Sequence, residues 1–294
     1  MKRFASNLKI MKTIKLLVLG LCLPFLGAAQ TTTPALRINE AFMSLGAQGS
    51  FEPGLSQATF EKLSENSTLL PDNIGSSYTY FGNNTFKLGV GLQFRDREKS
   101  GFRKHMELRV GLAYSNSLGY YSSSGNSTKH PYDTLVSQQT GQEYYIDSIY
   151  SEYTTVHHNF DMLSIDASLI FRTNSEARWS LYGGLGASFG SSLFSKTYLR
   201  SGSNGYTIGA QSGNSHSWST NNSESETYTN GSNTSLTAYV PIGVDFRIAN
   251  NNAFFNKMHL YTEITPNFTM RNINNLETIS SASVGFNFGA YYRF

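Results

Sequence analysis

Seven charged side chains occur at alternate positions of five segments whose other positions are mostly apolar. They are Lys87, Glu107, Arg109, Asp166, Asp245, Arg247 and Glu263. If these segments enclose one interior, the three bases and four acids must neutralise each other, because an isolated buried charge is strongly unfavourable. We therefore expect an ionic network that fills and blocks this interior. A polar path that conducts ions or small solutes is the alternative.

A second candidate set is His157, His158 and Asp161, whose side chains suit metal binding or general base catalysis. Adjacent residues of a strand point to opposite faces, so the two histidines cannot easily share a metal ion. Serines near these histidines and near His216 could serve acyl transfer, but that chemistry needs nucleophile, base and oxyanion donors to converge. The serines are too many for the pattern to single one out. We expect no metal, no cofactor and no catalysis.

Strict alternation of apolar with polar or small residues organises most of the chain. The clearest segment, 84–95, has its apolar residues at Phe86, Leu88, Val90, Leu92 and Phe94. A period of two places alternate side chains on opposite faces of a β-strand. The pattern predicts eight strands, at 38–50, 84–95, 104–116, 160–172, 178–190, 236–248, 257–268 and 281–294.

The connections between these strands alternate in length. The short ones are 96–103, 173–177 and 249–256, and the long ones are 51–83, 117–159, 191–235 and 269–280. Outer-membrane barrels have short periplasmic turns and long extracellular loops. The spacing therefore predicts a closed, all-β, antiparallel up-and-down transmembrane barrel, with both termini in the periplasm. Strand propensity at 144–155 leaves open whether this segment extends strands beyond the membrane or adds a hairpin and makes ten strands.

A soluble sandwich of two antiparallel sheets would also alternate. It would not need eight strands of nearly equal, membrane-crossing length. The apolar residues at the ends of the strands favour the barrel too, because aromatic girdles mark both membrane interfaces. We expect one girdle at Trp179, Phe171, Phe94, Phe246 and Phe294 and another at Phe86, Tyr114, Phe189 and Phe268. Arg95, Arg172 and Arg247 would meet headgroups at the ends of descending strands.

The N-terminus has the three parts of a secretory signal. Lys12 and Lys15 precede the apolar run 16–26, and small residues end at Ala29. We expect cleavage after Ala29, which makes 1–29 the signal and 30–294 the barrel domain; translation could start at Met1 or at Met11. The mature part then holds 18 basic and 20 acidic residues and no cysteine. This balance gives no reason to expect a nucleic-acid partner.

The chain resembles the small outer-membrane β-barrels of Bacteroidetes-type bacteria, and its architecture is similar to the eight-stranded OmpA and OmpX barrels. The signal ending at Ala29-Gln30, the paired segments 86–94 and 106–114, and the terminal run 286–294 carry the resemblance. It implies that Phe294, with Tyr292 and Phe288, forms the signal read by the barrel-assembly machinery.

An eight-stranded barrel has an interior that side chains just fill, which favours a barrel blocked by the ionic network over an open channel. The long loops are rich in Tyr, Ser, Gly and Asn, a composition of recognition surfaces and also of plain hydrophilic loops. We therefore expect an envelope protein that contacts lipid and an extracellular partner without catalysis. A small channel is the first alternative, and a lipid-modifying enzyme is the second.

Overall fold

The computed structural model describes residues 36–74, 78–80, 83–94, 106–174, 177–209, 215–218, 223–249 and 252–294. The predicted signal at 1–29 and Arg95 lie outside these ranges, as do the side chains of Phe94 and His216. The described residues form twelve strands, one α-helix and a 3-10 turn at Phe255–Lys257. The strands and the helix are β1 Leu36–Phe51, α1 Gln57–Leu63, β2 Tyr78–Tyr80, β3 Asn83–Phe94, β4 Met106–Val136, β5 Glu143–Arg172, β6 Trp179–Gly209, β7 Ser215–Trp218, β8 Glu224–Thr229, β9 Thr234–Tyr239, β10 Ile242–Arg247, β11 Met258–Ile273 and β12 Glu277–Arg293.

The strands close into a ring in which every neighbour is antiparallel. Its order is β1, β3, β4, β5, β6, then β9 and β10 together, β11 and β12, which pairs back to β1. β9 and β10 form one strand of the barrel that is interrupted at 240–241, where Pro241 has no N–H to give to the ladder. Each of the eight predicted strands thus supplies one position in the ring, and the eight-stranded prediction is confirmed.

The outer face of the ring is apolar over the length of the predicted strands. Trp179, Leu181, Leu185 and Phe189 of β6 are 62%, 64%, 66% and 58% exposed. Along β12 the side chains alternate between buried and exposed from 278 to 289, as the period of two predicts. We call this exposed band the apolar belt. A closed ring with an apolar exterior and a polar interior is the construction of an outer-membrane β-barrel, because closure satisfies every backbone group in lipid.

The ring has two unlike ends. Both described termini and the C-terminal ends of β3, β5 and β10 lie at one end, which we call the short-turn end. At the other end, which we call the long-strand end, three strands continue far past the apolar belt. β4, β5 and β6 have 31, 30 and 31 residues, whereas about 10 residues are enough for a strand to cross a bilayer.

The predicted loops 117–159 and 191–235 are therefore mostly strand, and only 137–142 connects β4 to β5. Likewise, only 274–276 separates β11 from β12 within the predicted loop 269–280. Of the two interpretations of 144–155, the structure has the extension, since this segment belongs to β5. Prediction missed the rest of these extensions because the pattern changes face. After a bulge at 116–117, where Ser117 has a φ of 58°, the apolar residues of β4 point inward instead of outward.

The helix α1 lies in the predicted loop 51–83. Ser56 caps it by accepting a hydrogen bond from the backbone N–H of Thr59. Within the described ranges, no helix is both long and apolar enough to cross a membrane.

Candidate functional site

A network of buried charges closes the interior at the short-turn end. We call Glu40, Glu107, Arg109, Arg172 and Asp245 the ionic floor. The Arg172 guanidinium, 1% exposed, donates to Glu40 Oε2 over 3.2 Å, to Glu107 Oε2 over 3.3 Å and to Asp245. Arg109 Nε donates to Glu40 Oε1 over 2.8 Å. Three carboxylates thus surround two guanidinium groups, and this pairing offsets the cost of burying each charge.

Aromatic rings fill the space around the two arginines. Tyr182 and Tyr291 each lie 4.9 to 5.7 Å from the centres of both guanidinium groups, within the range of cation–π attraction. His259 stacks on Tyr291 with ring centroids 4.5 Å apart and its Nδ1 is 3.3 Å from Asp245. Aromatic rings thus pack against both guanidinium groups of the floor.

Six of the seven predicted interior charges take part in contacts inside the barrel. Glu107, Arg109 and Asp245 belong to the floor. Glu263 lies next to it, 3.9 Å from Arg109 Nη1, and accepts a hydrogen bond from Tyr182 over 3.1 Å. Lys87 and Asp166 form a separate pair with an N–O distance of 3.3 Å, and Tyr239 donates to Asp166 over 2.8 Å.

Arg247, the seventh residue, lies apart from the others. Its Nη1 donates to Asn256 over 3.2 Å at the short-turn rim, and no described acid lies within 4 Å of it. Arg247 has the same strand parity as the buried Asp245, and its Nε is buried, but it lies at the last position of β10 and reaches the connection to β11. Its membership of the interior network therefore stays a prediction.

Two central residues of the floor escaped prediction. Arg172 was expected among lipid headgroups, yet it is buried at the centre of the network. Glu40 lies in the first predicted strand, 38–50, and is 0% exposed. Strand parity could have found both. Leu163, Ile165 and Leu169 point outward on β5, so the even-numbered Arg172 must point inward, and Glu40 precedes the outward Ala41 in the same way.

Above the floor lies a small polar chamber. It has a volume of about 80 Å³ and is lined by Lys87, Asp166, Tyr239, Asn267 and Asn287 among other polar side chains. At the wall of this space, Gln48 of β1 donates to Ser283 of the neighbouring strand β12 over 2.6 Å. The chamber has room for only a few water molecules, each of which occupies about 30 Å³ of liquid volume.

An apolar cluster closes the interior at the long-strand end. We call residues 52–74, which include α1, the plug. Leu55, Phe60 and Leu63 of the plug are 4%, 0% and 1% exposed. They pack on inward-facing side chains of the surrounding strands, namely Leu118, Tyr120, Val156, Phe160, Met162, Leu199, Ile273 and Ile279. The plug is held by burial of apolar surface, which stabilises by about 25 cal/mol per Å².

Polar contacts fix the plug to the barrel wall. Glu277 of β12 accepts from Ser56 Oγ over 3.0 Å and from Thr59 Oγ1 over 2.7 Å at the start of α1. Glu226 of β8 accepts from Ser67 Oγ over 2.5 Å on the far side of the plug. Beneath the helix, Arg271 donates to Glu52. Hydrogen bonds and one ion pair thus connect the plug to β8, β11 and β12.

His157 and His158 lie in β5 and point to opposite sides, as predicted. His157 packs outside on Tyr121 with ring centroids 4.5 Å apart. His158 is 0% exposed inside, where its Nδ1 is 2.9 Å from Thr197 Oγ1 and its Nε2 is 3.2 Å from Asn233 Nδ2. Burial lowers the pKa of His158 to about 4.

A serine also lies near His158, with Ser195 Oγ 3.3 Å from Nε2. Both side chains are buried beneath the plug, so a substrate has no path to the pair. The segment Gly186–Gly190 has the form Gly-x-Ser-x-Gly, but it lies inside β6 with strands on both sides. A nucleophile elbow needs a sharp turn between a strand and a helix.

The aromatic residues of the predicted girdles lie on the outer surface where they are described. Trp179 packs on Phe246 with centroids 4.5 Å apart, at the short-turn end. Phe288 and Phe294 are 55% and 54% exposed, and Tyr292 contacts Phe294 with centroids 5.6 Å apart. These three residues form one outward row at the C-terminal end of β12 and just after it.

No known protein family matches the sequence, and no curated protein is similar to it. Among solved structures, Neisserial surface protein A has a TM-score of 0.32 and 11% identity, over 87% of this chain and 97% of that chain. The attachment invasion locus protein Ail of Yersinia pestis has a TM-score of 0.24 and 17% identity, over 88% of this chain and 100% of that chain. These values give no correspondence between individual residues.

Proposed function

We propose that the chain is a non-catalytic outer-membrane protein that makes contacts at the cell surface and does not conduct through its barrel. The observation that carries the proposal is that the interior is closed at two levels, by the ionic floor and by the plug. A pore needs a continuous polar path, whereas the described residues leave a small chamber between the two closures.

The long-strand end is the part that we assign to surface contacts. β4 alone would extend about 100 Å at 3.3 Å per residue, several times the thickness of a bilayer. Barrels of this kind carry their short turns in the periplasm and their longer segments outside the cell. We therefore place both termini in the periplasm and the extension of β4, β5 and β6 outside.

The remaining partners follow from this placement. Membrane lipid covers the apolar belt. The barrel-assembly machinery reads the outward row Phe288, Tyr292 and Phe294 at the end of the last strand. Nothing in the charge balance of the mature chain calls for nucleic acid.

Labelling of single cysteines tests the orientation, since the part of the chain after the predicted signal has no cysteine of its own. Ser137→Cys lies in the connection between β4 and β5, and Thr173→Cys lies at the short-turn end. On intact cells, a membrane-impermeant maleimide should label the first variant only. Permeabilised cells should show labelling of both. The reverse pattern on intact cells would contradict the proposal.

Liposome swelling tests the closed interior. Liposomes that contain the refolded chain 30–294 should swell in a small neutral sugar no faster than empty liposomes. Faster swelling by a preparation that migrates as a folded barrel would show an open path and would favour a channel.

A further inference from the structure

A polar groove lies at the long-strand end, outside the closed interior. It has a volume of about 430 Å³, in the range of small-ligand sites. The inner face of the β4, β5 and β6 extension forms one wall, and Pro71 of the plug forms part of the other. Its side-chain chemistry is set by Ser124, Asn126, Tyr150, Glu152, Ser201 and Glu224.

Strand register arranges these side chains in rows on one face. Ser124 pairs with Thr154, which pairs with Ser201, which pairs with Glu224. Asn126 pairs with Glu152 in the next row on the same face. Because neighbouring strands lie about 4.8 Å apart, the first row spans about 14 Å. The groove therefore presents a grid of hydroxyl, amide and carboxylate groups.

The charges of the groove restrict its ligand. Glu152 and Glu224 make no ion pair with the described residues, and no lysine or arginine lines the groove. An anionic ligand would lose its hydration there without gaining an opposite charge. Carboxylates accept hydrogen bonds only, whereas serine and threonine hydroxyls both donate and accept. A ligand rich in uncharged hydroxyl groups satisfies both kinds of partner.

We propose that this groove binds an uncharged oligosaccharide, with the exposed ring of Tyr150 as an apolar surface for one sugar ring. The proposal rests on the proposed surface role, since it names the partner class of the long-strand end. A lysine-rich peptide would use the two glutamates, but exposed ion pairs contribute little. It would also leave most of the hydroxyl and amide groups without a specific partner.

Binding to an array of immobilised oligosaccharides tests the proposal. The refolded chain 30–294 in detergent should bind neutral oligosaccharides and should not bind sulfated ones of the same length. Tyr150→Ala and Glu152→Gln should each weaken the binding at least ten-fold. Tyr145→Ala and Glu143→Gln, which change the same residue types on the same hairpin outside the groove, should leave it unchanged.

Three results would overturn the proposal. They are absence of binding to every neutral oligosaccharide, equal loss in the control variants, and displacement of the sugar by a lysine-rich peptide that binds more tightly. The cysteine labelling separates this failure from failure of the surface role. If Ser137→Cys is labelled on intact cells and no sugar binds, only the groove proposal fails. If sugar binds but labelling shows the long-strand end inside, the surface role fails and the groove proposal stands.

Discussion

The ionic floor and the plug close one interior with opposite chemistry. The floor consists of charged side chains that belong to the barrel strands themselves, and each buried charge depends on its partners. The plug is a separate segment, and its apolar side chains pack on the inward-facing apolar side chains of the strands at the other end. We therefore expect that loss of one charge of the floor destabilises the whole barrel, whereas the plug can unfold without unfolding the barrel.

Breaking the floor should have the largest effect. Arg172→Met removes the cation that three carboxylates share and leaves them partly unpaired, which should lower the free energy of unfolding by about 3–5 kcal/mol. Urea unfolding in phospholipid vesicles measures it. Arg247→Met is the matched control: Arg247 makes no ion pair with a described acid, so its replacement should cost clearly less than that of Arg172. Equal effects of the two changes would show that the floor is not a coupled network.

Emptying the core of the plug should have an effect that stays local. Phe60→Ala removes a fully buried ring and should lower the free energy of opening the plug by about 3–5 kcal/mol. Hydrogen exchange should become faster at the α1 amides and stay unchanged at 106–112 of β4. Glu61→Ala, on the exposed side of the same helix, should change neither. Faster exchange throughout the barrel would mean that the plug and the wall unfold together.

A charge on the apolar belt separates the membrane-facing wall from the extension beyond it. Leu112→Arg places a cation in the lipid-facing band and should destabilise the folded barrel by about 2–4 kcal/mol. Leu135→Arg introduces the same charge near the tip of the extension, where Leu135 is 53% exposed, and should have little effect. If both variants lose a similar amount of unfolding free energy in vesicles, the assigned membrane boundary is wrong.

The smallest effect concerns the polar cluster beneath the plug. His158 is neutral when folded because its pKa is lowered to about 4, whereas in the unfolded chain its pKa is about 6.5. Between these values the unfolded state binds more protons, so local stability should fall as the pH falls from 6.5 towards 4, by at most about 1.4 kcal/mol per pH unit.

His158→Gln should reduce this dependence in hydrogen exchange of the β5 and β6 amides, after correction for intrinsic exchange rates. The exposed His130→Gln should retain the full dependence. An identical pH profile in the wild type and in His158→Gln would show that this histidine does not titrate as the burial implies.

The sequence alone predicts the wall of the barrel because each strand carries its own signal there. Residues that point outward, such as Leu181 and Leu185, recur at alternate positions and are mostly apolar, so the alternation marks all eight strands. Above the belt this signal reverses. Leu118 and Tyr120 point inward after the bulge at Ser117, while the outer face becomes polar, and the pattern no longer has the form of a lipid-facing strand.

The two closures were predicted to different degrees for a physical reason. Six of the charges at or beside the floor and in the pair above it lie on the clearest strands, where their parity indicates an interior position. Glu40 and Arg172 lie at strand ends, where parity was outweighed by the expectation of headgroup contacts. The plug has no periodic signal of its own. Phe60 and Leu63 acquire their partners only when the ring brings distant strands together.

Single-channel conductance across a planar bilayer tests the double closure most directly. The refolded chain 30–294, inserted as a folded barrel, should remain silent, and deletion of 53–74 should also leave it silent because the ionic floor is still in place. Combining that deletion with Arg172→Ala and Glu107→Ala should produce steady channels, provided that the variant migrates as a folded barrel. Steady channels from the unmodified chain would contradict the closed interior.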